Sequence, residues 1–89
     1  MKATASDAAA WMKNFIESNA ILYQEVAVGE IIRQFGDHLS TVNSNGNLAI
    51  SAAVLKVFNT ITGNDVVWVR SERMWRKRQP YDSPGRQQP

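Results

Sequence analysis

At Val66 the spacing of apolar residues changes, and that change constrains the chain more than any other feature of its sequence. Before it, Ala8, Trp11, Met12, Phe15 and Ile16 recur three and four positions apart, as do Val28, Ile31, Ile32 and Phe35, and then Ile50, Val54, Val57, Phe58 and Ile61. Each set lines one face of an α-helix. After it, Val-Val-Trp-Val-Arg, Ser-Glu and Arg-Met-Trp-Arg-Lys-Arg read as two β-rich runs joined by a tight connection. Three helices followed by a hairpin make an α+β chain, and 89 residues leave room for one domain with an adequate core.

The signals at the element ends set the boundaries. Ser6 before Asp7 reads as an N-cap with a carboxylate in the first turn, which predicts a helix over 6–18. Ile21-Leu22-Tyr23 is too short for a helix and predicts a brief strand. A second helix over 25–35 ends where Gly36 can take a positive φ. The Asn-rich stretch 37–47, with its Asn45-Gly46 pair, predicts a turn that closes a small hairpin around Leu39, Thr41 and Val42. A third helix over 49–62 follows, with Asn47 or Ser51 as its cap and Gly63 past its end. Trp11, Phe15 and Phe58 lie on the stripes and are expected in the core.

In the hairpin, a turn at Ser71-Glu72 sets Trp68 opposite Trp75 and Val69 opposite Met74. Alternation then gives Trp68, Trp75, Arg70, Arg73 and Lys77 one face and Val67, Val69 and Met74 the other, with Arg76 and Arg78 beyond them. Residues 79–89 carry all three prolines and little that is apolar beyond Tyr81, which predicts a flexible tail after a domain over 1–78.

Candidate chemistry is sparse. Cysteine is absent, which removes disulfides, thiolate metal sites and thiol nucleophiles and suits a reducing compartment. With no signal-peptide pattern and no apolar membrane span, a cytoplasmic protein without membrane contact is expected. His38, the one histidine, stands beside Asp37 in a polar stretch, but no nucleophile is tied to the pair by any motif. Asn43, Asn45, Gly46 and Asn47 match neither phosphate-loop spacing and read as a plain turn. The expectation is no catalytic residue, no metal, no cofactor and no small-molecule substrate.

Charge is the informative feature. Of ten Lys and Arg, five lie between Arg70 and Arg78 with only Glu72 against them, whereas residues 1–69 hold four against six Asp and Glu. Cations interleaved with tryptophan can grip phosphates and stack on bases. The same Trp pair can instead anchor the hairpin to the helices, with arginine stems over the rings.

The order helix, short strand, helix, helix, two-stranded wing resembles a winged helix-turn-helix from residue 6 to 78. The chain also resembles a family of small bacterial and phage proteins of uncharacterised function. Phe35-Gly36, Asn43-x-x-Gly46-Asn47-x-x-Ile50, Val67-Trp68-x-Arg70 and Trp75-Arg76-Lys77-Arg78 carry that likeness. The resemblance implies a fold and brings no activity. A winged-helix reading makes the third helix the recognition helix, yet its exposed positions, Ser51, Ala52, Lys56, Asn59 and Thr60, include one cation. The expectation is therefore a non-enzymatic module that contacts nucleic acid, DNA ahead of RNA, through Arg70, Arg73, Arg76, Lys77 and Arg78 with Lys56 assisting. The rival expectation is a protein-interaction or dimerising module using the hairpin edge and the Trp face.

Overall fold

Thr4, not Ser6, starts the first helix. In the computed structural model, which describes residues 3–88, the Thr4 hydroxyl accepts from the Asp7 amide while the Asp7 carboxylate accepts from the Thr4 amide at 2.8 Å. This reciprocal capping box satisfies two backbone donors at once, which a lone Ser6 would not. Helix α1 runs Ala5–Asn19 and buries Ala8, Ala9, Met12 and Ile16. Trp11 and Phe15 pack on the core edge, half-buried, with ring centroids 5.3 Å apart.

Strand β1 (Ile21–Tyr23) leads directly into α2 (Gln24–Phe35). Gly36 ends α2 at φ 108°, and a Cβ there would lie 2.8 Å from the His38 Nδ1, so the stop needs glycine. A single 3-10 turn, Asp37–Leu39, then feeds β2 (Ser40–Val42), which pairs antiparallel with β3 (Leu48–Ile50). Ala49 and Ile50, expected to open the third helix, thus lie in a strand. Ile50 fits a helical stripe with Val54 as well as a strand register, and Ser51 decides the boundary by capping α3 (Ala52–Thr62) at the Val54 amide. Phe58 lies one turn after Val54 and Thr62 one turn after Phe58, and these three face inward. Ile61, expected on the buried stripe, is exposed instead.

Strands β4 (Val66–Val69) and β5 (Met74–Lys77) pair with Trp68 opposite Trp75 and Val69 opposite Met74, the register that alternation predicts. The hairpin does not stand alone, however. β5 also pairs with β1, and β4 pairs in parallel with β6 (Gln87–Gln88), giving a four-stranded sheet in the order β1-β5-β4-β6. The fold is accordingly α+β, three helices with this sheet and a separate β2-β3 ribbon, and its C-terminal hairpin is the sheet's centre rather than a projecting element.

One face of the sheet meets the helices. Trp75 packs edge-on to Phe58, 5.7 Å between ring centroids, and Trp68 lies 4.7 Å from Trp75. Such tilted and edge-to-face pairs add about 0.5–1.5 kcal/mol to what area burial provides. Val67 and Val69 point the other way yet are also buried. Arg76 is the cross-strand partner of Val67, and its ion pair with Asp82 draws the chain after β5 across that second face before it returns as β6. Residues 79–88, expected as a flexible tail, are a docked segment that covers β4.

Among the described residues no helix is long and apolar enough to cross a membrane.

Candidate nucleic-acid interface

The six cations expected to contact nucleic acid fall in four places. Arg70 and Arg73 sit in the four-residue connection of the hairpin, both exposed. The Arg73 amide donates to the Arg70 carbonyl, and Arg73 takes φ 52° to close the turn. These residues have left the pleat, so the expected face shared by Trp68, Trp75, Arg70, Arg73 and Lys77 does not form. The tryptophans turn inward while the two arginines project from the end of the hairpin. The Arg73 carbonyl accepts from the Gln24 amide at 2.9 Å, tying the turn to the start of α2.

Lys77 is exposed at the opposite end of β5. It lines a cleft together with Lys13 and Arg78, with Glu17 and Asp65 among the other walls and Ile16 and Val66 as apolar lining. Lys13 lies on α1, where sequence reading sees only a solvated helix face. Only the packing of α1 against the base of the hairpin adds it to the basic end. Lys56 is exposed on α3 and lines neither this cleft nor the groove beside Arg73.

Arg76 and Arg78 are engaged by the chain itself. Both terminal guanidinium nitrogens of Arg76 donate to the Asp82 carboxylate, at 2.8 and 2.7 Å, and the Tyr81 ring centroid lies 5.7 Å away. The Gln79 amide also donates to Asp82. Arg78 donates through Nε to the Asn64 carbonyl at 2.6 Å and through its terminal nitrogens to the carbonyls of Ser83 and Gly85. Arg86, which sequence reading passed over as part of a tail, turns to the C-terminal end of α3. There it donates to the Asn59 and Gly63 carbonyls and the Thr62 hydroxyl. A cation at that end complements the helix dipole. No local sequence signal marks this contact, because its partners, two backbone carbonyls and one hydroxyl, lie more than twenty positions away.

Electrostatics follow from this geometry. The Arg76 guanidinium, and next the Gln79 amide, hold the Asp82 carboxyl down at about 2, and the hydrogen-bonded Asp82 in turn raises Arg76. Burial, then the nearby charge of Arg78, lowers Arg86. Because Asp82 has a depressed folded pKa, the stability it contributes is fully present above its ordinary value of 3.8 and is lost as pH falls through about 2. Melting temperatures of wild type and Asp82→Asn, measured from pH 6 to pH 2, should differ most at pH 6 and converge toward pH 2. Curves separated by a constant amount would mean that the ion pair does not hold the segment.

The Asn-rich turn holds its own donors. The Asn43 side chain accepts from the Asn45 and Asn47 amides, and the Gly46 amide donates to the Asn43 carbonyl. An anion there would have to displace all three bonds. His38 Nε2 lies 2.8 Å from the Ala3 carbonyl, which ties the N-terminal segment to the turn after α2. Among the described residues no three His, Cys, Asp or Glu converge as metal ligands.

The family model DUF6953, described as a family of unknown function, matches residues 4–77. The chain belongs to that family. No curated protein and no solved structure matches it. The DUF6953 match ends at Lys77, so it takes in Arg70, Arg73, Arg76 and Lys77 but neither Arg78 nor the Asp82 and Arg86 that secure the C-terminal segment.

Charge separation is the feature of this DUF6953 protein that bears most directly on binding. From Val66 to Gln88 there are six Lys and Arg against two Asp and Glu, whereas from Ala3 to Asp65 there are three against six. The only ion pairs among the described residues are Glu30–Arg33 and Arg76–Asp82. Arg78 and Arg86 bind neutral carbonyl and hydroxyl oxygens, so their charges add to those of Arg70, Arg73 and Lys77.

Proposed function

We propose that this protein is a non-enzymatic binding module of winged-helix-like arrangement that holds nucleic acid, duplex DNA ahead of RNA, on its basic sheet end. The observation that carries this reading is the charge separation. Arg70, Arg73 and Lys77 are exposed without acidic partners on an element whose surplus of cations opposes a surplus of anions on the helices. Such a field orients a polyanion and releases its counterions on contact. The winged-helix comparison is supported by β1 pairing beside the β4-β5 hairpin and by α3 packing against it through Phe58. The β2-β3 ribbon, where a helix-turn-helix has a short turn, sets this chain apart. Exposed residues of α3 include Ala52, Ala53, Lys56, Asn59 and Thr60, so binding rests on phosphates rather than base edges. A cysteine-free chain of this kind suits the cytoplasm.

Fluorescence anisotropy with a labelled 20-base-pair duplex tests the reading. Wild type should bind at about 50 mM salt and weaken steeply toward 200 mM. The triple variant Arg70→Gln, Arg73→Gln, Lys77→Gln should bind more weakly, its slope of log K against log salt flatter by up to about 0.9 per lost contact. A wild type without affinity at low salt overturns the proposal.

A second reading has its own observation. Tyr23, Val26, Val42 and Leu48 are large apolar side chains left exposed, with Val42 62% and Leu48 54% accessible as cross-strand partners in the ribbon. Tyr23 and Leu48 line one groove with Glu25, Glu72 and Arg73, a mixture of apolar surface and both signs of charge that suits a protein surface better than a phosphate backbone. A partner docked there should be lost with Val42→Ser, Leu48→Ser and be nearly insensitive to salt.

A further inference from the structure

We propose that the C-terminal segment 79–88 is an intramolecular gate, in which Asp82 occupies on Arg76 the place that a backbone phosphate of the nucleic acid takes when the segment is displaced. The inference rests on the nucleic-acid reading above and adds its regulation.

Arginine presents two parallel N–H donors whose spacing fits a carboxylate and a phosphate equally well, and in this structure a carboxylate fills that fork. Asp82 is the one acidic residue between Arg73 and Gln88, within a stretch of five cations, and it lies on the central one of the run Trp75-Arg76-Lys77. Its side chain is 2% exposed, so the anion is inserted rather than adjacent. The rest of the segment follows the same pattern. Ser83 and Gly85 offer carbonyl oxygens to Arg78, and Arg86 fixes the far end on α3. These are acceptors aimed at guanidinium groups, the role phosphate oxygens play along a strand.

The segment is also built to come away. Tyr81, its one large apolar side chain, is 79% exposed, and among residues 79–88 only Gln88 and the side chain of Asp82 are buried. Against release stand the cover it gives Val67 and Val69 and the two ladder bonds of β6, in which the Trp68 amide donates to the Arg86 carbonyl at 2.7 Å and the Arg70 amide to the Gln88 carbonyl at 3.0 Å. Closed protein offers Arg70, Arg73 and Lys77. Open protein adds Arg76 and Arg78 on either side of Lys77 and sheds the competing carboxylate. A ligand that prefers the open form binds with an affinity reduced by the fraction of molecules that are open.

Two variants and one exchange experiment test the gate with the same labelled duplex at about 50 mM salt. Asp82→Asn should tighten binding by about tenfold, because loosening the segment's hold raises the small open fraction, and with it the apparent affinity, in proportion. Adding Arg76→Gln to it should remove that gain. Arg86→Gln is the sharper variant, because it deletes a cation and should weaken binding if charge alone matters. Release of the segment's far end should instead tighten it. Amide hydrogen exchange on wild type supplies the measurement that needs no variant: added duplex should speed exchange at Trp68 and Arg70, whose amides are held by the segment's carbonyls. If wild type binds while Asp82→Asn shows no gain, Arg86→Gln binds more weakly and the two amides stay protected, the gate is wrong and the nucleic-acid reading stands. If no form binds the duplex, both fall.

Discussion

Phe58→Ala should cost about 3–5 kcal/mol of stability, the usual price of emptying a large aromatic site in a core. Phe58 is fully buried, makes the edge-to-face contact with Trp75, and lies on α3, the helix that packs most extensively on α1. Collapse around the missing ring is blocked because Met12, Ile16, Leu22 and Val54 around the same core are themselves fully buried. A domain of this size has about 5–10 kcal/mol in all, so the variant should be marginally folded, with its melting transition broadened and shifted by tens of degrees in circular dichroism. Trp11→Ala should cost less, since Trp11 remains half-exposed at the core's edge. A Phe58 variant that melts within about 5 °C of wild type would mean that α3 does not pack as described.

Ending the chain at Arg78 should lower stability by about 3–4 kcal/mol. Val67 and Val69 lose their cover, each at about 1.5 kcal/mol, and α3 loses the cation at its C-terminus, worth about 0.3–1 kcal/mol. For a chain this short the melting temperature should fall by about 15–25 °C. A flexible tail, which is what the sequence predicts for residues 79–89, would cost nothing to remove. An unchanged melting temperature would mean that residues 79–88 do not rest on β4 in solution.

The contrast between these two experiments separates what a sequence shows from what it hides. Phe58, Val54 and Met12 are legible because helical burial repeats every three or four residues and leaves a periodic trace. The pairing of Trp68 with Trp75 is legible because alternation together with a short connection permits few registers. Strand β3 was harder, since three residues are too few for either period to declare itself and Ile50 satisfies both. Thr4 displaced Ser6 as the cap through a reciprocal partner in Asp7, a choice visible in the sequence once both ends of the box are weighed.

The candidate site was legible in composition and not in arrangement. That Arg70, Arg73, Arg76, Lys77 and Arg78 form a cationic run is a property of the chain. Which of them remain free depends on Asp82, Ser83 and Gly85 folding back, and which cations join them depends on α1 bringing Lys13 to the hairpin's base. By itself, then, the sequence determined the α+β class, the helical stripes, the hairpin register and the positive end of the molecule, because each follows from spacing or charge along the chain. Tertiary structure alone decided that the Trp face turns inward, that β1 and β6 flank the hairpin, and that Arg76, Arg78 and Arg86 hold the C-terminal segment. The first rests on packing against Phe58, the second on backbone ladders, and the third on one ion pair and on hydrogen bonds from arginine to backbone carbonyls, groups that every residue carries and that therefore leave no pattern in the order of the side chains.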